Sequence, residues 1–211
     1  MRSQKRYHRA VKRPRIIIVL GSTASGGRLG ALADVAEAAA TEAGADVVRC
    51  DLSEQPVPVM CTEDPSQKTL PAVSELRRQA ADADGFILLT PEYHGNMSGA
   101  LKNWFDYLYL ELAGKFAGII AITGGGGGDM SVLSVKNSFN WCHGFTLPFH
   151  AVGKPDDFDG DALTSDRVRE RVQRIGHDVA RYAPLLRESF EAAKAAGPQV
   201  SSGVAGTHAG D

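Results

Sequence analysis

Short apolar runs recur along this chain, and each leads through a loop into a stretch with helical patterning. Ile16-Ile17-Ile18-Val19-Leu20 runs straight into a glycine loop, then into an alanine-rich helix expected over Ala31–Ala43 and closed by Gly44. Ala45–Cys50 reads as a second strand, Ala72–Ala81 as a helix, and Gly85–Leu89 as a third strand stopped by proline. A helix over Ser98–Leu110 follows, then a strand over Phe116–Ile122 and a helix from about Met130 to Cys142. Phe145–Val152 reads as a fifth strand, and Val168–Ala195 as a long helix interrupted near Pro184. Five strands alternating with helices imply a parallel sheet with right-handed crossovers and a helical layer on each face.

Length and charge limit the alternatives. A chain of 211 residues can bury a full α/β core. We expect one domain over residues 15–196, a disordered basic extension over 1–14, and a disordered tail over 197–211, where Gly, Ser and Ala dominate. Residues 1–15 carry seven Arg or Lys and no acid; the rest carries sixteen basic against twenty-five acidic residues. A body that acidic argues against nucleic acid as a partner. No segment approaches the ~20 apolar residues of a membrane span. Cys50, Cys61 and Cys142 show no CxxC or Cys/His ligand spacing, so we expect reduced, structural thiols, no metal and, with no signal peptide or span read, a cytoplasmic protein.

Three loops carry chemistry. Gly21-Ser22-Thr23-Ala24-Ser25-Gly26-Gly27-Arg28-Leu29-Gly30 joins the first strand to a helix N-terminus, where N–H groups, hydroxyls and the helix dipole suit a phosphate. It is not a P-loop, because Gly27-Arg28 stands where Lys-Ser/Thr is needed. Nor is it a GxGxxG fingerprint, because Thr23 occupies the third position, although Asp51 lies where a ribose-binding acid would. A mere tight turn is the structural alternative. The second loop, Pro91-Glu92-Tyr93-His94-Gly95-Asn96-Met97-Ser98, offers flat side chains and turn N–H groups that no ladder uses. In the helix after it, Leu101, Trp104, Phe105 and Leu108 have core spacing. The third loop, Thr123 followed by Gly124–Gly128, lets a backbone approach a ligand closely and adopt positive φ. Loops after the first, third and fourth strands converge on one sheet edge.

Pro91–Asp106 resembles the "PEYNG…GxLKNxxDW" segment of the NADPH-dependent FMN reductase family, matching at Gly95, Gly99, Leu101, Lys102, Asn103 and Asp106. The first loop is similar to that family's "GSxRxxS" motif at Gly21 and Ser22. Ala24 replaces its arginine, Gly27 its serine and His94 its asparagine, with Ser25 and Arg28 as candidate substitutes. The resemblance implies a flavodoxin-like, doubly wound, five-stranded parallel sheet of order 2-1-3-4-5. It implies FMN as cofactor and NAD(P)H as co-substrate, hydride passing to a flavin, quinone or similar acceptor, and a homodimer or homotetramer. Gly21, Ser22, Ser25, Arg28 and Leu29 would then hold phosphate. Pro91, Glu92, Tyr93, His94 and Gly95 would form the flavin wall, and Thr123, Gly124, Gly125 and Gly126 its far edge. The flavin performs the hydride chemistry, so no catalytic side chain is expected, and His94 is a candidate substrate contact. The proline-punctuated 55–67 loop is a candidate cover. Two alternatives stay open: a dehydrogenase acting on one small metabolite, and a non-catalytic electron carrier.

Overall fold

The computed structural model describes residues 13–210, so all but the last two residues of the basic extension lie outside the described residues. Five strands form one parallel sheet: β1 (Arg15–Leu20), β2 (Asp46–Asp51), β3 (Gly85–Pro91), β4 (Phe116–Ile122) and β5 (Phe145–Gly153). Their order is β2-β1-β3-β4-β5, the expected one. Register is set in part by pairs such as Leu20 with Leu89 and Leu89 with Ile120. All of β3 is buried, as its unbroken apolar sequence requires of a central parallel strand.

Two cores lie on the two sheet faces. On one face, α1 (Gly27–Glu42) and α5 (Asp166–Ala195) pack Leu32, Ala36, Val172, Ile175 and Val179 against Ile16, Ile18, Ile87 and Ile120. On the other, α2 (Pro71–Asp82), α3 (Gly99–Asp106) and α4 (Asp129–Trp141) pack Val73, Leu101, Trp104, Val135 and Phe139 against Ile17, Val19, Phe86 and Leu88. Leu101, Trp104, Phe105 and Leu108 are all buried, as their spacing requires.

Three departures from the sequence reading have physical causes. The long helix is not interrupted: Pro184 sits inside an unbroken α5. Buried Val179, Ala180 and Ala183 before it and Phe190 after it hold both sides down, so tertiary packing overrides the missing hydrogen bond. The tail expected to be disordered contains 3-10 turns over Val200–His208, with Ala205 packed on Phe190 and Ala113. Its small residues permit close docking where composition alone suggested solvation. A short hairpin, β6 (Phe158–Asp159) with β7 (Ala162–Leu163), is the third: Gly160-Asp161 between its strands is a two-residue hairpin signal that the alternation of longer elements overshadowed.

Among the described residues no helix is long and apolar enough to cross a membrane.

Candidate functional site

β1, β3 and β4 all end at the same edge of the parallel sheet and their loops rise from it, the edge where open α/β sheets bind ligands. At β1, Gly21 donates to the Leu89 carbonyl at 2.8 Å. A Cβ there would lie 2.6 Å from that carbonyl oxygen and 2.8 Å from Leu101 Cβ, so only glycine fits. Ser22 Oγ accepts from the Ala24 N–H at 3.0 Å and shapes the turn. Gly26 and Gly27 have φ of 66° and 63°, which explains why glycine stands at position 27 in place of serine. Helix α1 then begins with no side-chain cap and no acid in its first turn, while Thr23 and Ser25 are exposed beside it. Such a start leaves N–H donors for an anion. Leu29 is buried core, so its part in the loop is to seat α1.

At β3, Tyr93 and Asn96 exchange two backbone hydrogen bonds of 3.0 Å around His94 and Gly95. With φ of 52° and 72° at those two residues, this is a type I′ turn. The His94 and Gly95 N–H groups donate no hydrogen bond among the described residues. Tyr93 is 56% exposed. Glu92 lines the cleft between these loops. Its carboxylate accepts from Ser131 N–H at 3.2 Å and Thr123 Oγ at 3.4 Å, so it caps the start of α4.

At β4, Thr123 Oγ1 accepts from Gly126 N–H at 3.0 Å and holds the glycine loop in shape. A Cβ on Gly124 or Gly125 would meet nothing within 4 Å, so this stretch is open, whereas one on Gly126 would meet Glu92 Oε1 at 2.8 Å. Positive φ occurs only at Gly128, which abuts Val152.

The loops enclose a cleft of about 220 Å³ lined by residues that include Arg28, Pro91, Glu92, Tyr93, Thr123, Gly124 and, unforeseen, Lys154 and Phe158. Arg28 does not turn into the glycine loop. Its Nε donates to the Gly160 carbonyl at 3.0 Å, and its guanidinium lies 5.4 Å from the Phe158 ring centre. Ser22 and Ser25 lie in the loop after β1 and not in this cleft's lining. Sequence reasoning also missed Thr90 and Ser98. Ser98 Oγ donates to the Gly21 carbonyl at 2.5 Å and accepts from Leu101 N–H, tying the first two loops together. Ser98 carried a signal, as an N-cap before the α3 pattern. The proline-rich loop is bound to α3 through Asn103 and Tyr107, which both donate to the Pro58 carbonyl, and lines a separate groove of about 440 Å³.

The residues present fit FMN: one phosphate-type helix start, a turn with unused donors, and an open glycine edge. Among the described residues no cluster of three or more His, Cys, Asp or Glu is placed to hold a metal ion.

Comparison with known proteins agrees. The family model described as NADPH-dependent FMN reductase matches residues 14–158. Over 133 residues the chain is 35% identical to an NADPH azoreductase of Bacillus sp. (strain OY1-2), covering 62% of this chain and 71% of that protein. It is 28% identical over 187 residues to the NADPH-dependent FMN reductase ArsH of Rhizobium meliloti, covering 83% and 75%. The solved structure of FerB, a flavoenzyme NAD(P)H:(acceptor) oxidoreductase from Paracoccus denitrificans, superposes with a TM-score of 0.66 at 17% identity, over 82% of this chain and 98% of that one, which shows a common fold.

Proposed function

This chain belongs to the NADPH-dependent FMN reductase family, and on that premise we propose that it passes hydride from NAD(P)H through FMN, held across the loops after β1, β3 and β4, to a small aromatic acceptor such as a quinone, an azo compound or free flavin. The protein is an oxidoreductase, with FMN as cofactor and NAD(P)H as co-substrate. The observation that carries the site assignment is the convergence of three loops, each with unpaired or open backbone, on one sheet edge.

When bound, FMN supplies the hydride transfer. The protein's part is to bind and orient. The start of α1 with Ser22, Thr23 and Ser25 takes the phosphate. The His94 and Gly95 N–H groups bond the polar edge of the ring system, and the exposed Tyr93 ring offers a flat face. Glu92, Thr123 and Ser98 hold these loops in place. His94 stands at the mouth and meets the acceptor.

Met130, Leu133 and Trp141 form an exposed apolar stripe on α4, 61%, 58% and 78% accessible, and Tyr93 adjoins it through the turn. This supports a homo-oligomer built on the α4 face, since adjoining exposed apolar side chains mark interaction surfaces. Three free cysteines support a reducing, cytoplasmic setting.

The visible spectrum of the purified protein, chromatography of flavin released by boiling, and steady-state NAD(P)H oxidation with several acceptors test the proposal. FMN with turnover is expected. FAD alone, or oxidation of neither nucleotide, refutes it.

A further inference from the structure

Glu92 carries its carboxylate to the point where three parts of the site meet. Its N–H donates to the Ile122 carbonyl at 2.7 Å, which joins the ends of β3 and β4. Oε2 accepts from Ser131 N–H at 3.2 Å in the first turn of α4. The cap position of that helix is Gly128, which offers no side chain, so Glu92 caps the helix from another element. The positive end of the helix favours a negative charge there. Oε1 accepts from Thr123 Oγ1 at 3.4 Å. The Thr123 oxygen in turn accepts from Gly126 N–H at 3.0 Å, so a chain of hydrogen bonds runs from the glycine loop through Thr123 to the carboxylate.

The same side chain lines the cleft of about 220 Å³ between the loops. Its partners among the described residues are an amide and a hydroxyl, and no arginine or lysine pairs with it. Neutral donors orient a carboxylate without cancelling its charge. A hydride arriving at FMN makes the bound cofactor one unit more negative, because two electrons come with one proton. A fixed anion in the wall of so small a cleft opposes that change and acts far less on the oxidised form.

We infer that Glu92 sets the reduction potential of the bound flavin, its carboxylate holding that potential low while it fixes the glycine loop. This rests on the reading of the cleft as the flavin site. A lower potential makes the reduced cofactor a stronger donor to the acceptor and leaves a smaller driving force from NAD(P)H. The sign does not depend on Arg28 and Lys154, which line the same cleft and are unchanged in every variant compared. Glu92 is a positioning residue: it acts through its field at the flavin and through Thr123, not on the reacting atoms.

Potentiometric titration of the FMN-loaded protein at pH 8, with fluorescence titration of the apoprotein by oxidised FMN, tests this. Glu92→Gln keeps an oxygen for Ser131 N–H and removes the charge. Its potential should rise by about 30 mV, a tenfold shift of a two-electron equilibrium, while oxidised FMN binds within about threefold of wild type. Glu92→Asp keeps the charge on a shorter arm. Its potential should stay near that of wild type, while the apoprotein melts at a lower temperature because the cap of α4 is weakened. A glutamate that only braces the loops gives another pattern, with oxidised FMN bound more weakly by Glu92→Gln and the potential unmoved. That pattern overturns the inference, as does a lower potential in Glu92→Gln or an equal rise in Glu92→Asp. A wild-type protein that binds no FMN refutes the proposed site and this role with it, an outcome distinct from a bound flavin whose potential does not move.

Discussion

Asp161 is the acid that stands nearest the start of α1, its Oδ1 3.8 Å from the place a Gly27 Cβ would take. Beside an empty helix N-terminus, an aspartate is favourable. Beside a bound phosphate it is a like charge, at an exposed position where salt screens it. Asp161→Asn should therefore tighten FMN roughly two- to fivefold at low salt and leave riboflavin unchanged. Fluorescence titration with both flavins checks this. An equal gain for riboflavin would mean that the effect does not pass through the phosphate. Gly27 and His94 show how single positions reconcile the departures from the family pattern. Each has positive φ, a region open to glycine and tolerated by histidine better than by most residues.

Between elements, the joints are polar and buried. Ser98 Oγ caps α3 at Leu101 N–H and also binds the Gly21 carbonyl, while Ser98 N–H donates to Thr90 Oγ1 at 3.0 Å. Ser98→Ala removes a cap and strands a buried carbonyl, so it should cost about 2–3 kcal/mol of stability. FMN affinity should fall with it, because the first loop loses its anchor; urea unfolding and flavin titration measure the two effects. A second joint is Lys115 at the head of β4, which is 2% exposed and donates to the last carbonyls of α2, at Ala80 and Ala81. Burial, helped by the nearby Arg187 charge, pushes its ammonium down to about 7 from the ordinary 10.5. Between those two values the unfolded chain holds the proton and the folded one does not, so stability rises with pH across that window. Below about pH 7 the penalty for the buried charge is fully present. Lys115→Met should flatten this slope. Thermal melts from pH 6 to 10 compare the two proteins, and identical slopes would mean that Lys115 keeps its proton throughout.

On the scale of the whole molecule, two surfaces extend beyond the sheet. The C-terminal segment docks Ala205 against Phe190, and His208 is buried 2.7 Å from the His143 ring. Deleting residues 197–211 uncovers Phe190 and Ala113, a loss of about 1–2 kcal/mol by area. Tm should fall by roughly 2–8 °C, with FMN content unchanged, since the site is built at the sheet's other elements. An unchanged Tm would mean that the segment contributes no packing. On the α4 face, Trp141→Glu should lower the oligomeric state seen by sedimentation without unfolding the subunit, because the side chain is 78% exposed within it. If the assembly survives, the interface lies on another surface.

Much of this was legible in the sequence because it follows from local chemistry repeated along the chain. Ile16–Leu20, Gly85–Leu89 and Phe116–Ile122 are apolar throughout, as strands buried on both faces must be, and the glycine loops after them lie within a few residues of the strands they follow. The alternation came from that pattern; the sheet order came from the three converging loops and the family resemblance, since periodicity alone leaves two doubly wound orders open. Contacts between distant segments were not legible. Nothing local in Arg28 says that it will bond Gly160, 132 residues away, or in Glu92 that it will cap α4. Lys154, Phe158 and the docked tail entered the picture only when the chain closed on itself. A side chain's reach is set by its own residue, but its partner is set by which strand ends the sheet brings together, and only the tertiary structure decides that.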